Sequence, residues 1–131
     1  RTGTARYEGV AYATGRNSDN SARYDMKGAS RLDVDFGAQA FSGAFALSGT
    51  EQISGTPANF GSFDVSGTLA AGNSGLQGNI FRSGSNMGNF EGLFYGADAQ
   101  EAAGPFSFLA PAGTLEAQGV SVQGVIATAR Q

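Results

Sequence analysis

FYGADAQEAAGPF, Phe94 to Phe106, is the stretch on which the fold turns. It opens with two aromatics and a glycine, crosses a small, weakly acidic segment, and closes on Gly104, Pro105 and Phe106. Aromatic residues favour strands, while glycine and proline punctuate them. The stretch therefore reads as the end of one strand, a turn, and the start of the next. In that reading Phe94 and Phe106 point inward from neighbouring strands. Gly96 and Gly104 let the chain leave and re-enter the sheet. The segment Ala97–Ala103 is short and helix-tolerant, which predicts a single helical turn, with Glu101 tying it down through backbone donors.

Outward from this stretch the chain alternates with period two. In SRLDVDFG, Leu32, Val34 and Phe36 alternate with Arg31, Asp33 and Asp35, one buried face against one wet face. AFSGAFALSG repeats the pattern with Phe41, Gly43, Phe45 and Leu47, and SFDVSGTL with Phe63, Val65, Gly67 and Leu69. GVSVQGVIA places Val120, Val122, Gly124 and Ile126 on one face. Weaker strand patterns cover 4–13, 75–82, 86–96 and 104–110, which brings the expected number to eight. Turn-rich segments separate them at 14–21, 49–59, 70–75, 82–86 and 110–113.

Eight short strands with regular turns predict an all-β fold, a single eight-stranded antiparallel up-and-down barrel over 1–131. The 21 glycines support closure, because Gly43, Gly67, Gly92 and Gly124 fall on the inward face, where a coiled strand needs room to bend. An eight-stranded barrel is just wide enough to be filled by its own side chains, and ten phenylalanines supply that filling. A membrane-spanning barrel would turn its apolar residues outward behind aromatic girdles. Here the non-Phe face carries Arg31, Asp33, Asp35, Asp64 and Glu91, and Trp is absent, so the barrel is expected not to span a membrane.

The same composition narrows function. With no Cys and no His, thiol chemistry, His-based triads and His-ligated metals are excluded. A net charge of −3 and no basic run leave no footprint for nucleic acid. The paired carboxylates Asp33 and Asp35 share one face of one strand, which reads as a solubilising exterior rather than an acid/base pair. Asp98 and Glu101 have no basic or nucleophilic neighbour in sequence. The glycine clusters match no phosphate loop. Haem ligation would fall to Tyr7, Tyr12, Tyr24, Tyr95, Met26 or Met87, residue types that in strands usually pack. No catalytic, cofactor-binding or metal-ligating residue is therefore assigned, no cofactor is expected, and the chain reads as a non-enzyme. Exposed aromatics and arginines near loop tips are the residue types that anchor a protein partner.

Three segments in order, GTARYEGVAYATG, ASRLDVDFGAQAFSGAFALSG and FEGLFYGADAQEAAGPFSF, resemble the β-barrel domain of the transferrin-binding-protein-B-like family. The late segment of that family has the form G-x-F-Y/F-G-x-x-A-x-E-x-x-G-x-F. Its positions here are Gly92, Phe94, Tyr95, Gly96, Ala99, Glu101, Gly104 and Phe106. Asp98 stands where Asn is frequent, and Ala103 replaces the first glycine of a usual pair. The resemblance implies a filled barrel scaffold with recognition on loops and outer faces. It implies a Gram-negative surface or secreted protein, tethered to the outer membrane through a lipidated cysteine upstream of Arg1. It also implies a protein partner, in iron or haem acquisition among other roles. Transferrin receptors of this type carry two lobes, each with a handle domain, whereas this chain has room for one barrel. Two rival expectations stand beside the binding module. One is a ligand-free scaffold accompanying another domain; the other is a lipocalin-like carrier with an open barrel mouth. A filled interior, with Phe36, Phe45, Phe63 and Phe94 meeting at the axis, sinks the carrier.

Overall fold

The structure, a computed structural model, describes residues 3–116 and 118–131. Eight strands form one closed antiparallel barrel in simple chain order: β1 (Thr4–Asn17), β2 (Arg23–Asp35), β3 (Ala40–Glu51), β4 (Pro57–Leu69), β5 (Gly75–Arg82), β6 (Ser85–Tyr95), β7 (Glu101–Ala110) and β8 (Val120–Arg130). A short 3-10 turn, Ala71–Asn73, joins β4 to β5. Closure comes from β1 pairing with β8 from Tyr7 opposite Arg130 to Asn17 opposite Val120. It leaves no open edge for unwanted pairing.

The bore follows from the register. One outward row passes from Thr14 to Gln123, Ser107, Asn89, Asn79, Ser66, Ser42 and Asp33, and returns to β1 at Arg6. Arg6 lies eight residues from Thr14 along the same strand. A shear of eight over eight strands corresponds to a strand tilt of about 36° and a bore that side chains can close. They do close it, in linked ring clusters. At one end Phe94 lies 5.8 Å from Tyr7 and 5.5 Å from Phe36, centroid to centroid. In the middle Phe45 stacks on Phe63 at 5.4 Å and meets Phe106 at 4.8 Å, and Phe63 meets Phe108 at 4.8 Å. Such ring pairs each add about 0.5–1.5 kcal/mol beyond area burial. The four rings expected to converge, Phe36, Phe45, Phe63 and Phe94, thus sit in two layers rather than at one point. This continuous aromatic filling rules out the interior site that a lipocalin-like carrier requires.

Glycine makes the filling possible where a ring lies against a neighbouring strand. A Cβ on Gly124 would stand 2.3 Å from the Tyr12 carbonyl oxygen and 2.6 Å from the Phe106 ring. On Gly78 it would meet the Ser66 oxygen at 2.3 Å and the Phe41 ring at 2.8 Å.

Strand boundaries depart from expectation most instructively in three places, besides the earlier start of β4 at Pro57 and the run of β8 to Arg130. β1 runs on to Asn17 and β2 starts at Arg23, so the first turn is shorter than 14–21. Tyr24 and Met26 continue the buried parity of Leu32 back through a segment of mixed charges. The third departure is in FYGADAQEAAGPF, where no helical turn forms. Leu93, Phe94 and Tyr95 pair with Ala103, Ala102 and Glu101, so β7 starts at Glu101 and Gly104 is an interior strand position. Glu101 is an exposed strand residue rather than a cap. The chain reverses over five residues, using left-handed conformations at Gly96 (φ 90°) and Ala99 (φ 53°). Small residues at 102–104 suit a strand because their inward positions lie under neighbouring chain. A Cβ on Gly104 would come within 1.9 Å of the Glu91 oxygen.

Candidate functional site

The two ends of the barrel are sealed by polar contacts that the core positions. At the Phe94 end the reversal Gly96–Gln100 folds across the opening. The buried Tyr7 hydroxyl donates to the Ala99 carbonyl at 2.6 Å, and Arg130 donates to the Asp98 carbonyl at 3.1 Å. At the other end the β7–β8 loop lies over the β1–β2 turn. Tyr24 donates to Glu116, Asn17 donates to the same carboxylate at 3.2 Å, and Gln118 donates to Asp19 at 2.8 Å. Burial, reinforced by the Glu116 carboxylate, pushes the Tyr24 phenol up to about 12. Leu115 packs against the core beneath this loop.

The carboxylates weighed as acid/base candidates are structural. Asp33 is held between Arg6 at 2.8 Å and Arg31 at 2.9 Å on the outer face. Partial burial pulls its carboxyl up, but the two guanidiniums outweigh that and hold it below the usual range. Asp35 accepts from the Ala38 amide in a turn. The two therefore have separate partners and do not form a pair. Among the described residues no group of three metal-ligating side chains forms. The tyrosines and methionines divide by position. Tyr7, Tyr24 and Met26 are buried, and Met87 packs against the core. Tyr12 and Tyr95 stand outside, about half exposed.

That exterior is asymmetric. Of the seven large hydrophobic residues exposed among those described, six (Val10, Tyr12, Leu93, Tyr95, Leu109 and Val125) stand on the adjoining strands β6, β7, β8 and β1. Register places Leu93, Val10, Val125 and Tyr12 in two adjacent rows, with Tyr95 opposite Glu101 and Leu109 opposite Ser121 in rows beyond them. One outward row reads Leu93, Ala103, Ala127, Val10, Ala29, and the next reads Pro105, Val125, Tyr12, Lys27. The opposite wall, β2 to β5, presents Arg31, Asp33, Ser42, Asp64, Ser66, Gln77 and Asn79 instead. A spanning barrel needs an apolar band all the way round, and this one covers half the circumference. No helix among the described residues is long and apolar enough to cross a membrane.

A groove of about 620 Å³ crosses from the apolar wall at Val125 and Tyr12 onto β2 and β3 at Lys27 and Ser48. It continues at the barrel mouth into a polar cleft of about 310 Å³ that contains Arg16, Arg23, Gln52 and Ser121. Thr14, Asp25 and Gln123 line both. The loop between β3 and β4 flanks the cleft. Its turn is organised by Glu51, whose carboxylate accepts from the amides of Ile53 at 3.0 Å, Arg23 at 2.9 Å and Ser54 at 2.9 Å. The Ile53 and Arg23 amides hold its carboxyl down to about 2. Sequence reasoning did not find this wall. The available signal was that β1 and β8 are apolar at both parities (Val10 and Tyr12 beside Ala11 and Ala13, Val125 and Ala127 beside Ile126), as in strands covered on both faces.

The sequence matches the family model for the C-lobe and N-lobe beta barrels of Tf-binding protein B over residues 1–130. No curated protein matches it. Similar solved structures include the N-lobe domain of lactoferrin binding protein B from Moraxella bovis. That match has TM-score 0.63 at 18% identity and covers 99% of this chain and 60% of the other. A double mutant of transferrin binding protein B from Haemophilus parasuis gives TM-score 0.60 at 21% identity, covering 99% of this chain and 26% of the other. Intact Ap-TbpB, with both lobes, gives 0.56 at 21% identity, with 99% and 27% covered. The chain thus spans about a quarter of the full-length relatives.

Proposed function

The chain belongs to the transferrin-binding-protein-B lobe-barrel family, and from that premise we propose that it is a binding module of a Gram-negative cell surface that recognises a protein partner. The observation that carries the reading is the one-sided apolar wall of β6, β7, β8 and β1. Contiguous exposed apolar surface on a soluble face marks an interaction site, and tyrosines are favoured anchors in such sites. The relatives' names speak of transferrin and lactoferrin binding. Iron-carrying proteins are therefore the first partners to assay, and iron acquisition is the role this reading assigns. The family comprises binding proteins rather than enzymes. A lipid tether to the outer membrane belongs to the same proposal, which rests there on the family resemblance. The scaffold reading, in which the barrel only supports a second domain, leaves the wall covered by that domain.

The experiment is capture of transferrin, lactoferrin and solubilised surface proteins of the source bacterium on the immobilised barrel, wild type against Tyr12→Ser and Leu93→Ser. Both substitutions change exposed outward side chains, so the melting temperature should hold within a few degrees. Capture that falls at least tenfold in both variants supports the reading. Capture unaffected by either variant, or absent from every source, overturns it.

A further inference from the structure

At the mouth end of the apolar wall, Arg16 of β1 stands directly opposite Arg23 of β2. Both are exposed, and both line the 310 Å³ cleft. Two like charges opposite each other across an antiparallel pair destabilise the sheet. Proteins normally relieve such a pair with an acid, and here the nearby acids are already engaged. Asp25 accepts a hydrogen bond from the Gln52 amide, and the Glu51 oxygens take three backbone amides. Among the described residues the ion pairs are those of Asp33 with Arg6 and Arg31, and neither Arg16 nor Arg23 takes part in one. The two guanidiniums are thus left with ten N–H donors between them and no anion. The same outward row continues through Ser121 to the exposed Leu109, and the groove beside Tyr12 and Val125 opens directly below.

We propose that the Arg16–Arg23 cleft is a carboxylate-recognition site, which takes an acidic side chain of the partner protein while the groove at Tyr12 and Val125 takes an apolar neighbour. The planar fork of arginine matches a carboxylate in bidentate fashion. The nearby charges of Asp25 and Glu51 favour a single negative charge over the double charge of phosphate. Ser121 and Gln123 supply further donors in its lining. This inference rests on the protein-binding reading and names the chemistry that gives the apolar wall its register on the partner.

The test uses the whole isotope-labelled barrel, titrated with sodium acetate and, separately, with sodium phosphate, against sodium chloride at matched ionic strength. The Nε–Hε signals of Arg16 and Arg23 and the amides of Ser121 and Gln123 should shift saturably with acetate in the millimolar range and more weakly with phosphate. Arg16→Gln and Arg23→Gln should abolish the response. In acetate-free, low-salt buffer Arg16→Gln should raise the melting temperature by a few degrees, and the gain should shrink in high salt, since it relieves repulsion. Non-saturating shifts, or equal shifts at Arg6, Arg31 and Arg130, show an adventitious ion only and overturn the site. Tighter binding of phosphate overturns the carboxylate assignment, and a lower melting temperature for Arg16→Gln shows a structural arginine and overturns it too. Because acetate binding needs no partner, its failure with wall-dependent capture intact rejects this site alone. The converse result rejects the protein-binding reading and leaves the cleft as a carboxylate site without a protein partner.

Discussion

Single atoms decide how tightly the barrel ends are closed. The Tyr7 hydroxyl is buried and donates to the Ala99 carbonyl at 2.6 Å, which secures a turn that holds a non-glycine residue at φ 53°. Tyr7→Phe keeps the ring contact with Phe94 and leaves the carbonyl without this donor. It should cost about 1–2 kcal/mol in denaturant unfolding, and a change below a few tenths would show that water replaces the bond without loss. Gly124→Ala is harsher, because its Cβ would meet both a backbone oxygen and the Phe106 ring. Overpacking of this kind typically costs about 1–3 kcal/mol, to be read as a lower melting temperature. Glu51 gives a pH signature. Its carboxyl lies at about 2 in the fold against an ordinary 4.5. A depressed acid contributes stability above its unfolded value and loses it as pH falls through the folded one. The melting temperature of the wild type should therefore fall between pH 4.5 and 2 more steeply than that of Glu51→Gln. Parallel curves would show that the turn amides are satisfied without the charge.

At the scale of elements, the mouth plug and the strand boundaries are the instructive cases. The β7–β8 loop is joined to β1–β2 through Glu116, Asn17 and Tyr24. Tyr24, raised from 10 to about 12, favours the neutral phenol in the fold. Its contribution is present below pH 10 and disappears as pH rises through 12. Alkaline titration followed by phenolate absorbance should show a late ionisation that Tyr24→Phe removes. An unchanged profile would place the late phenol elsewhere. Such contacts lie 92 and 99 residues apart in sequence and leave no local signal. Strand identity was legible wherever large apolar residues mark the inward parity, as at Leu32, Val34 and Phe36. It faded where inward positions are small. Ala102 and Gly104 extend β7 by virtue of what lies against them, and propensity alone reads them as a turn or helix. The same limit explains the missed start of β2, where Tyr24 and Met26 are separated by charged residues. The wall was hidden for a different reason. Which outward residues become neighbours depends on register across four strands, and no single strand records it.

For the whole molecule, a shear of eight dictates a bore that nine of the ten phenylalanines fill, Phe81 alone standing outside the core beside Asp64. Removal of one ring from the middle layer, Phe106→Ala, should cost about 3–5 kcal/mol, and refolding should remain cooperative if the barrel is a single unit. The exterior then divides into a polar wall, with Asp33 clamped by two arginines, and an apolar wall that ends at an arginine pair. The proposed binding surface and the charged surface thus lie on opposite flanks of the barrel exterior. The most direct test is side-chain footprinting of the barrel with hydroxyl radicals, alone and with a captured partner. Protection at Tyr12, Leu93, Tyr95 and Leu109, with the outward residues of β4 and β5 unchanged, is the result this account predicts. Protection confined to the polar wall or to the β3–β4 loop would contradict it.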